Sequence, residues 1–124
     1  MALERPEVDP VDGAPPTHLV VDDIAVGDGE EARPGQLVTV HYVGVAFSSG
    51  EEFDASWNRG EPFSFQLGRR KVIAGWDRGV VGMKVGGRRQ LVIPPALAYG
   101  EGGKPPAIGP NETLVFIVDL VAVA

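Results

Sequence analysis

The sequence predicts an α+β fold, an antiparallel sheet of five or six strands packed on one short helix. Three observations predict it. Several segments alternate apolar and polar residues at the two-residue period of a half-buried strand. The 17 glycines and 11 prolines divide the chain into short segments, as a turn-rich β architecture requires. A single stretch, Val72-Ile73-Ala74-Gly75-Trp76-Asp77-Arg78-Gly79-Val80, reads as a helix, and no strand–helix–strand repetition surrounds it.

The elements follow in order. A first strand is expected near Leu19–Ala25, ended by the turn residues Gly27-Asp28-Gly29. Arg33-Pro34-Gly35 marks a second turn. Leu37–Phe47 is the longest strand candidate, with Val38, Val40 and Tyr42 on one face and Leu37, Thr39, His41 and Val43 on the other. Ser48-Ser49-Gly50 reads as a hairpin turn into Glu51-Glu52-Phe53-Asp54, and residues 55–62 as a loop broken by Gly60 and Pro62. Phe63, Phe65 and Leu67 share one face of the next strand. Ile73, Trp76, Val80 and Met83 then fall at helical spacing. Gly75, Gly79 and Gly82 interrupt that pattern, and each interior glycine costs about 1 kcal/mol relative to alanine. The helix is therefore expected to be short and held by packing. Arg89–Ile93 is the next strand, stopped by Pro94-Pro95. Residues 96–112 form a Gly/Pro-rich loop, and Thr113–Val123 the last strand, with Leu114, Phe116, Val118 and Leu120 on one face.

Composition narrows the function. At 124 residues the chain fits one domain. It has no cysteine, hence no disulfide, thiol nucleophile or thiolate metal site. His18 and His41 are too few for a histidine metal centre, so no metal or other cofactor is expected. The net charge of -6 is uneven: residues 1–31 hold nine acids against Arg5 alone, and the remainder eight acids against ten bases. A nucleic-acid binder would carry a strong basic field, so nucleic acid is not expected as a partner. The short basic runs Arg69-Arg70-Lys71 and Arg88-Arg89 read as solvated strand ends or turns. No stretch approaches the ~20 apolar residues of a membrane span. The acidic, proline-rich residues 1–16 are expected to form a loose tail ahead of a domain at 17–124. They show neither the basic nor the apolar region of an export signal, and a cytoplasmic location is the default expectation.

Motifs for covalent chemistry fail. Gly100-Glu101-Gly102-Gly103-Lys104 lacks the first glycine and the final Ser/Thr of a phosphate loop, whose places Ala98 and Pro105 occupy. The acid pairs Asp22-Asp23 and Glu51-Glu52 lie beside turns and read as solvated. Spacing suggests no Ser-His-Asp arrangement. What remains is aromatic: Tyr42, Phe53, Phe63, Phe65, Trp76, Tyr99 and Phe116, spread over six segments. They could form a plain hydrophobic core. Phe53 at a strand end and Tyr99 in a loop suggest instead that they line a half-open cavity with Trp76 as its floor.

The resemblance is to the FKBP-type peptidyl-prolyl cis/trans isomerases, the immunophilins that bind tacrolimus and rapamycin. It is carried by Val38-Thr39-Val40-His41-Tyr42-Val43-Gly44, Gly50-Glu51-Glu52-Phe53-Asp54-Ala55-Ser56, Pro62-Phe63-Ser64-Phe65-Gln66-Leu67-Gly68, the helical stretch Val72–Val80, Met83-Lys84-Val85-Gly86, Ile93-Pro94-Pro95, Leu97-Ala98-Tyr99-Gly100 and Thr113-Leu114-Val115-Phe116. These matches run in order over about residues 19–123. The resemblance implies a twisted antiparallel sheet wrapped around one short helix. It implies a pocket of the aromatics Tyr42, Phe53, Phe63, Trp76, Tyr99 and Phe116 and the aliphatics Val72, Ile73 and Ile108. Asp54 and, more peripherally, Arg59 are its polar members. By that resemblance Asp54, Tyr99, Tyr42, Phe53 and Trp76 are the catalytic set, and the rest bind substrate.

The implied reaction is rotation of Xaa-Pro bonds in unfolded or flexible polypeptides, by a protein expected to be monomeric. The implied ligands are proline-containing polypeptides and the two macrolides. A non-catalytic module that merely holds a peptide in the same pocket is the alternative. Two departures from the common pattern stand out. Gly109 occupies a position where proline is frequent, which could loosen the loop carrying Ile108. Lys104-Pro105-Pro106 lies on the loop that selects partners, so substrate preference does not carry over. The absence of an inserted domain between Tyr99 and Ile108, and of a histidine cluster, argues against the metal-binding, chaperone-type branch.

Overall fold

The longest apolar segments become the centre of the sheet. In the computed structural model, which describes residues 3–124, the strands are β1 (Val20–Ala25), β2 (Leu37–Ala46), β3 (Glu52–Ala55), β4 (Phe63–Gln66), β5 (Arg88–Ile93) and β6 (Leu114–Val123), with helix α1 at Ala74–Gly79. They form one antiparallel sheet in the order β1-β5-β6-β2-β3, with β4 also paired to β2. The predicted fold class and strand order along the chain hold. No helix among the described residues is long and apolar enough to cross a membrane.

The predicted inward faces are buried: Val38, Val40 and Tyr42 on β2, and Leu114, Phe116, Val118 and Leu120 on β6. β6 also buries its other face, because Val115 packs with Val45 and Val92 under Val8, Val11, Val20 and Phe47. The acidic leader takes part in that cover. No regular element forms before Val20 among the described residues, as its prolines dictate, but the segment lies against the domain. Pro6 is buried, Arg5 pairs with Glu52 and donates to Asn58 Oδ1 at 2.9 Å, and Glu4 O accepts from Arg88 Nη2 at 2.6 Å.

Three local expectations are corrected. The helix is shorter than Val72–Val80 and starts at Ala74. Ile73 is extended at its N-cap (ψ 148°), where its carbonyl accepts from Trp76 N–H at 3.0 Å. The segment 55–62 is not wholly irregular, since Ser56–Arg59 makes a 3₁₀ turn. Arg88 and Arg89 are not solvated ends: both lie within β5, and both find carboxylates. Arg88 Nε meets the buried Asp119 at 2.6 Å, and Arg89 Nε meets Asp23 at 2.7 Å. Burial pushes the Asp119 carboxyl above its ordinary range, against the pull of Arg88 and His41.

The glycines in α1 prove to be contacts. A Cβ on Gly75 would sit 2.4 Å from Ile93 Cγ2, and one on Gly79 would sit 2.7 Å from Leu91 Cδ2. The helix gives up about 1 kcal/mol of propensity at each glycine and gains direct packing of its backbone on β5.

Gly75→Ala tests that trade. The helix-propensity gain of about 1 kcal/mol is smaller than the overpacking cost of about 1–3 kcal/mol at this overlap. Denaturant unfolding should show a net loss of up to about 2 kcal/mol. Gly102→Ala, at a position where an added Cβ meets nothing within 4 Å, should be close to neutral.

Candidate active site

The site forms where the outer edge of β2 changes partner. β2 pairs with β4 through Leu37–Val40 and with β3 through Val43–Val45. Between them His41 and Tyr42 face no strand on that edge, and a buried backbone N–H there needs another acceptor. Ser56, fully buried on the 3₁₀ turn, supplies it: its Oγ accepts Tyr42 N–H at 2.8 Å and lies 2.8 Å from His41 Nδ1. Ser56 is fully buried, so its contact with His41 has a structural use. The Trp57 ring stacks on His41 at 4.2 Å.

Above this junction opens a cavity of ≈ 220 Å³, lined by Tyr42, Phe53, Asp54, Phe63, Lys71, Val72, Ile73, Trp76, Tyr99 and Phe116. Five elements and two loops contribute. Trp76, 4 % exposed, lies at the base. Its ring meets Tyr42 at 4.8 Å, Phe116 at 5.2 Å, Phe65 at 5.6 Å and Phe63 at 6.1 Å, three of them edge-on and Phe65 tilted. Edge-to-face pairs of this kind add about 0.5–1.5 kcal/mol each beyond area burial. The indole Nε1–H is buried and has no acceptor among the described residues, so packing alone orients the ring. Phe53 closes one wall edge-on to Phe116 at 5.4 Å. Gly44 makes that wall possible. A Cβ there would lie 2.6 Å from the Phe116 ring and 2.7 Å from the Phe53 ring.

The polar members form a closed triangle. The Tyr42 hydroxyl donates to Asp54 Oδ2 at 2.5 Å, and Arg59 donates to Asp54 Oδ1 at 3.0 Å and to the Tyr42 hydroxyl at 2.8 Å. Burial alone would raise the Asp54 carboxyl, but the hydrogen bonds from Tyr42 and Arg59 outweigh it and hold the group below its ordinary value. Burial, then the hydrogen bond to Asp54, pushes the Tyr42 hydroxyl up. The site therefore keeps an ionised Asp54 and a protonated Tyr42.

The loop between β4 and α1 is pinned by Asp77 in the first turn of the helix. Its carboxylate accepts Gly68 N–H at 2.9 Å and Arg70 N–H at 3.0 Å. This holds Val72 and Ile73 at the cavity edge. Among the described residues neither the Ile73 N–H nor the Tyr99 hydroxyl is engaged by a protein partner.

Nine of the eleven site residues expected from sequence line the cavity. Arg59 is absent from the lining and acts from behind it through Asp54 and Tyr42. Ile108 is also off the lining. It is 3 % exposed and belongs to the core around Trp76 and Leu114. Its loop is closed rather than loosened at Gly109: Lys104 and Ile108 exchange both backbone hydrogen bonds at 2.9 and 3.0 Å. Sequence reasoning missed Lys71 on the lining, the spacing role of Gly44 and the loop-pinning role of Asp77. The turn chemistry of Leu67-Gly68 followed by a basic run was the available signal for Lys71.

An aromatic cavity on an antiparallel sheet wrapped around a single short helix defines a class, and comparison agrees. Residues 28–121 match the family described as FKBP-type peptidyl-prolyl cis-trans isomerase, and the chain belongs to that family. It is similar to an FK506-binding protein of Streptomyces anulatus, 63% identical with 99% of this chain and 100% of the relative covered. It is also similar to the peptidyl-prolyl cis-trans isomerase FPR2 of Saccharomyces cerevisiae, 54% identical over 75% of this chain and 69% of that one. Among solved structures it resembles AtFKBP13, with a TM-score of 0.79 and 41% identity over 86% of this chain and 93% of that one. FkpA from Escherichia coli aligns with a TM-score of 0.76 and 47% identity over 85% of this chain and 47% of that one.

The Asp54 cluster should register in acid stability. A carboxyl whose folded pKa lies below its unfolded value of about 3.9 contributes stability that is present above that value. The contribution is lost as pH falls through the folded pKa. Asp54→Asn removes it, so the stability gap between wild type and variant, read by denaturant unfolding, should be widest above about pH 4 and narrow below it. A gap that widens with acid would contradict the assignment.

Proposed function

We propose that the cavity accelerates cis/trans rotation of Xaa-Pro bonds in unfolded or flexible polypeptides, and so assists their folding. The observation that carries this reading is the pairing of a buried aromatic floor with two unengaged donors at its rim, Ile73 N–H and the Tyr99 hydroxyl. Rotation costs about 20 kcal/mol because it breaks amide resonance, and no covalent bond or proton changes hands. Binding the twisted amide better than the planar one is then sufficient. The pyrrolidine ring sits on Trp76. Tyr42, Phe53, Phe63 and Phe116 exclude the water that favours the planar, more dipolar amide. Tyr99 and Ile73 hold the flanking carbonyls while the amide turns. Asp54 orients Tyr42 and Arg59 and keeps that wall fixed. The same cavity accepts the apolar ring of a macrolide such as FK506 (tacrolimus), a reading supported by the names of FK506-binding relatives, and by the same apolar contacts it accepts rapamycin.

A non-catalytic peptide holder would share the floor but need not keep both donors open. Peptide exchange measured with and without protein separates the two, and no acceleration at micromolar protein sinks the enzyme reading. Tyr99→Phe removes one hydrogen bond worth about 1 kcal/mol and should lower kcat/KM about three- to tenfold in a folded protein. Trp76→Ala should weaken tacrolimus binding and also destabilise by about 3–5 kcal/mol. Because neither Asp54 nor Tyr42 titrates near neutrality, the rate should be flat across neutral pH. A bell-shaped profile centred near pH 7 would mean that proton transfer is involved.

A further inference from the structure

The basic run Arg69-Arg70-Lys71 has no part in the rotation described above, yet it forms the loop that enters the cavity. Lys71 is on the cavity lining, and Val72 is shared between that lining and an adjoining open groove. The groove has Pro34, Val72 and Ala74 as its apolar surface and Arg70 and Arg78 as its cations. Arg70, Lys71 and Arg78 are all exposed and form no ion pair among the described residues. Their arrangement is held in place. Arg70 adopts a left-handed backbone (φ 58°), a conformation costly for a residue with a Cβ, and the Asp77 carboxylate fixes it by accepting the Arg70 and Gly68 N–H groups. Asp77 is the groove's one carboxylate, and both its oxygens are used this way.

The cavity's own carboxylate is already paired. Asp54, the carboxylate on its lining, is neutralised by Arg59. On the opposite rim the Lys104 ammonium lies 5.4 Å over the Tyr99 ring. An excess of positive charge thus runs from the mouth along Val72 into the groove, on a chain whose net charge is -6.

We propose that the groove beside Val72 is an acidic-peptide subsite. It binds a carboxylate-bearing stretch of the same polypeptide whose proline occupies the cavity, through Lys71, Arg70 and Arg78. This rests on the isomerase reading and adds its substrate class. Apolar contacts with Pro34, Val72 and Ala74 seat the chain, and the cations select Glu or Asp on the flank that crosses Val72. Exposed charge pairs are individually weak, so selection is modest and salt-sensitive.

The test uses peptides with one proline and flanks that are neutral, glutamate-bearing or lysine-bearing on either side. The glutamate peptide should exceed the neutral one in kcat/KM by roughly three- to tenfold on one flank, with the lysine peptide below it. The ratio should approach one at about 0.5 M salt, where the Debye length falls to a few ångströms. It should also approach one in the combined variant Arg70→Asn, Lys71→Gln, Arg78→Gln; asparagine tolerates the left-handed backbone at position 70. The ratio is read within each variant, so loss of overall activity does not obscure it. Equal rates for all flanks, or an advantage that survives the combined variant, overturns the subsite. If the neutral peptide is not accelerated at all, the isomerase reading fails instead. Peptide affinities read from intrinsic tryptophan fluorescence then decide the subsite by the same ratios.

Discussion

The close approach of α1 to β5 governs the molecule. With Gly75 against Ile93 and Gly79 against Leu91, the helix backbone sits directly on the sheet. Trp76, on the same six-residue helix, is thereby carried down among Tyr42, Phe65 and Phe116. A helix held off by one methyl group would lift the indole toward the cavity it now floors. So short a helix has little stability of its own, since isolated helices below about 12 residues are marginal in water. Packing therefore sets both its existence and the depth of the site.

Around that floor the polar groups are arranged to remain in one protonation state. Asp54, Tyr42 and Arg59 satisfy each other, with Asp54 shifted down and Tyr42 shifted up. The Arg59–Asp54 pair is half exposed and contributes little to stability. Its effect is geometric: it fixes the hydroxyl end of a ring whose other edge meets Trp76. A reaction that needs only differential binding of two amide geometries gains from such fixity, because donors and walls then undergo no reorganisation as the bond turns.

Much of this was legible in the sequence, for identifiable reasons. Alternation was clearest in the first half of β2, where Val38, Val40 and Tyr42 are buried between more exposed neighbours, while β6 showed as a long apolar run because both its faces are covered. The aromatics were legible as a group because Phe53 and Tyr99 lie where a plain core would not place them. Close approach was not legible. In sequence Gly75 and Gly79 read only as helix breakers, and Gly44 as an ordinary strand residue. Their meaning depends on Ile93, Leu91 and Phe116, far away along the chain. Ile108 was expected in the pocket from the resemblance alone; the paired hydrogen bonds between Lys104 and Ile108 hold its loop, and the side chain is buried in the core around Trp76. Arg88 and Arg89 read as solvated because a basic dipeptide after Gly-Gly resembles a turn, whereas register opposite Asp119 and Asp23 sets their partners.

The acidic leader follows from the same sheet geometry. β6 is the partner of both β2 and β5, and it is apolar on both faces. The helix covers one face only. The other must be covered by irregular chain, and Pro6, Val8 and Val11 supply apolar side chains without adding a strand. Irregular chain has backbone groups to satisfy and few ladder bonds with which to do so. Arg88 answers this by donating to Glu4 O while holding Asp119, so that one guanidinium serves the buried carboxylate and the covering segment together. Arg5 then extends the contact to Glu52 and Asn58, the residues immediately before Phe53 and Arg59. A segment that composition alone marks as solvated is thus tied both to the back of β6 and to the residues that adjoin Phe53 and Arg59, and a two-faced apolar strand is what gives it a surface to lie on.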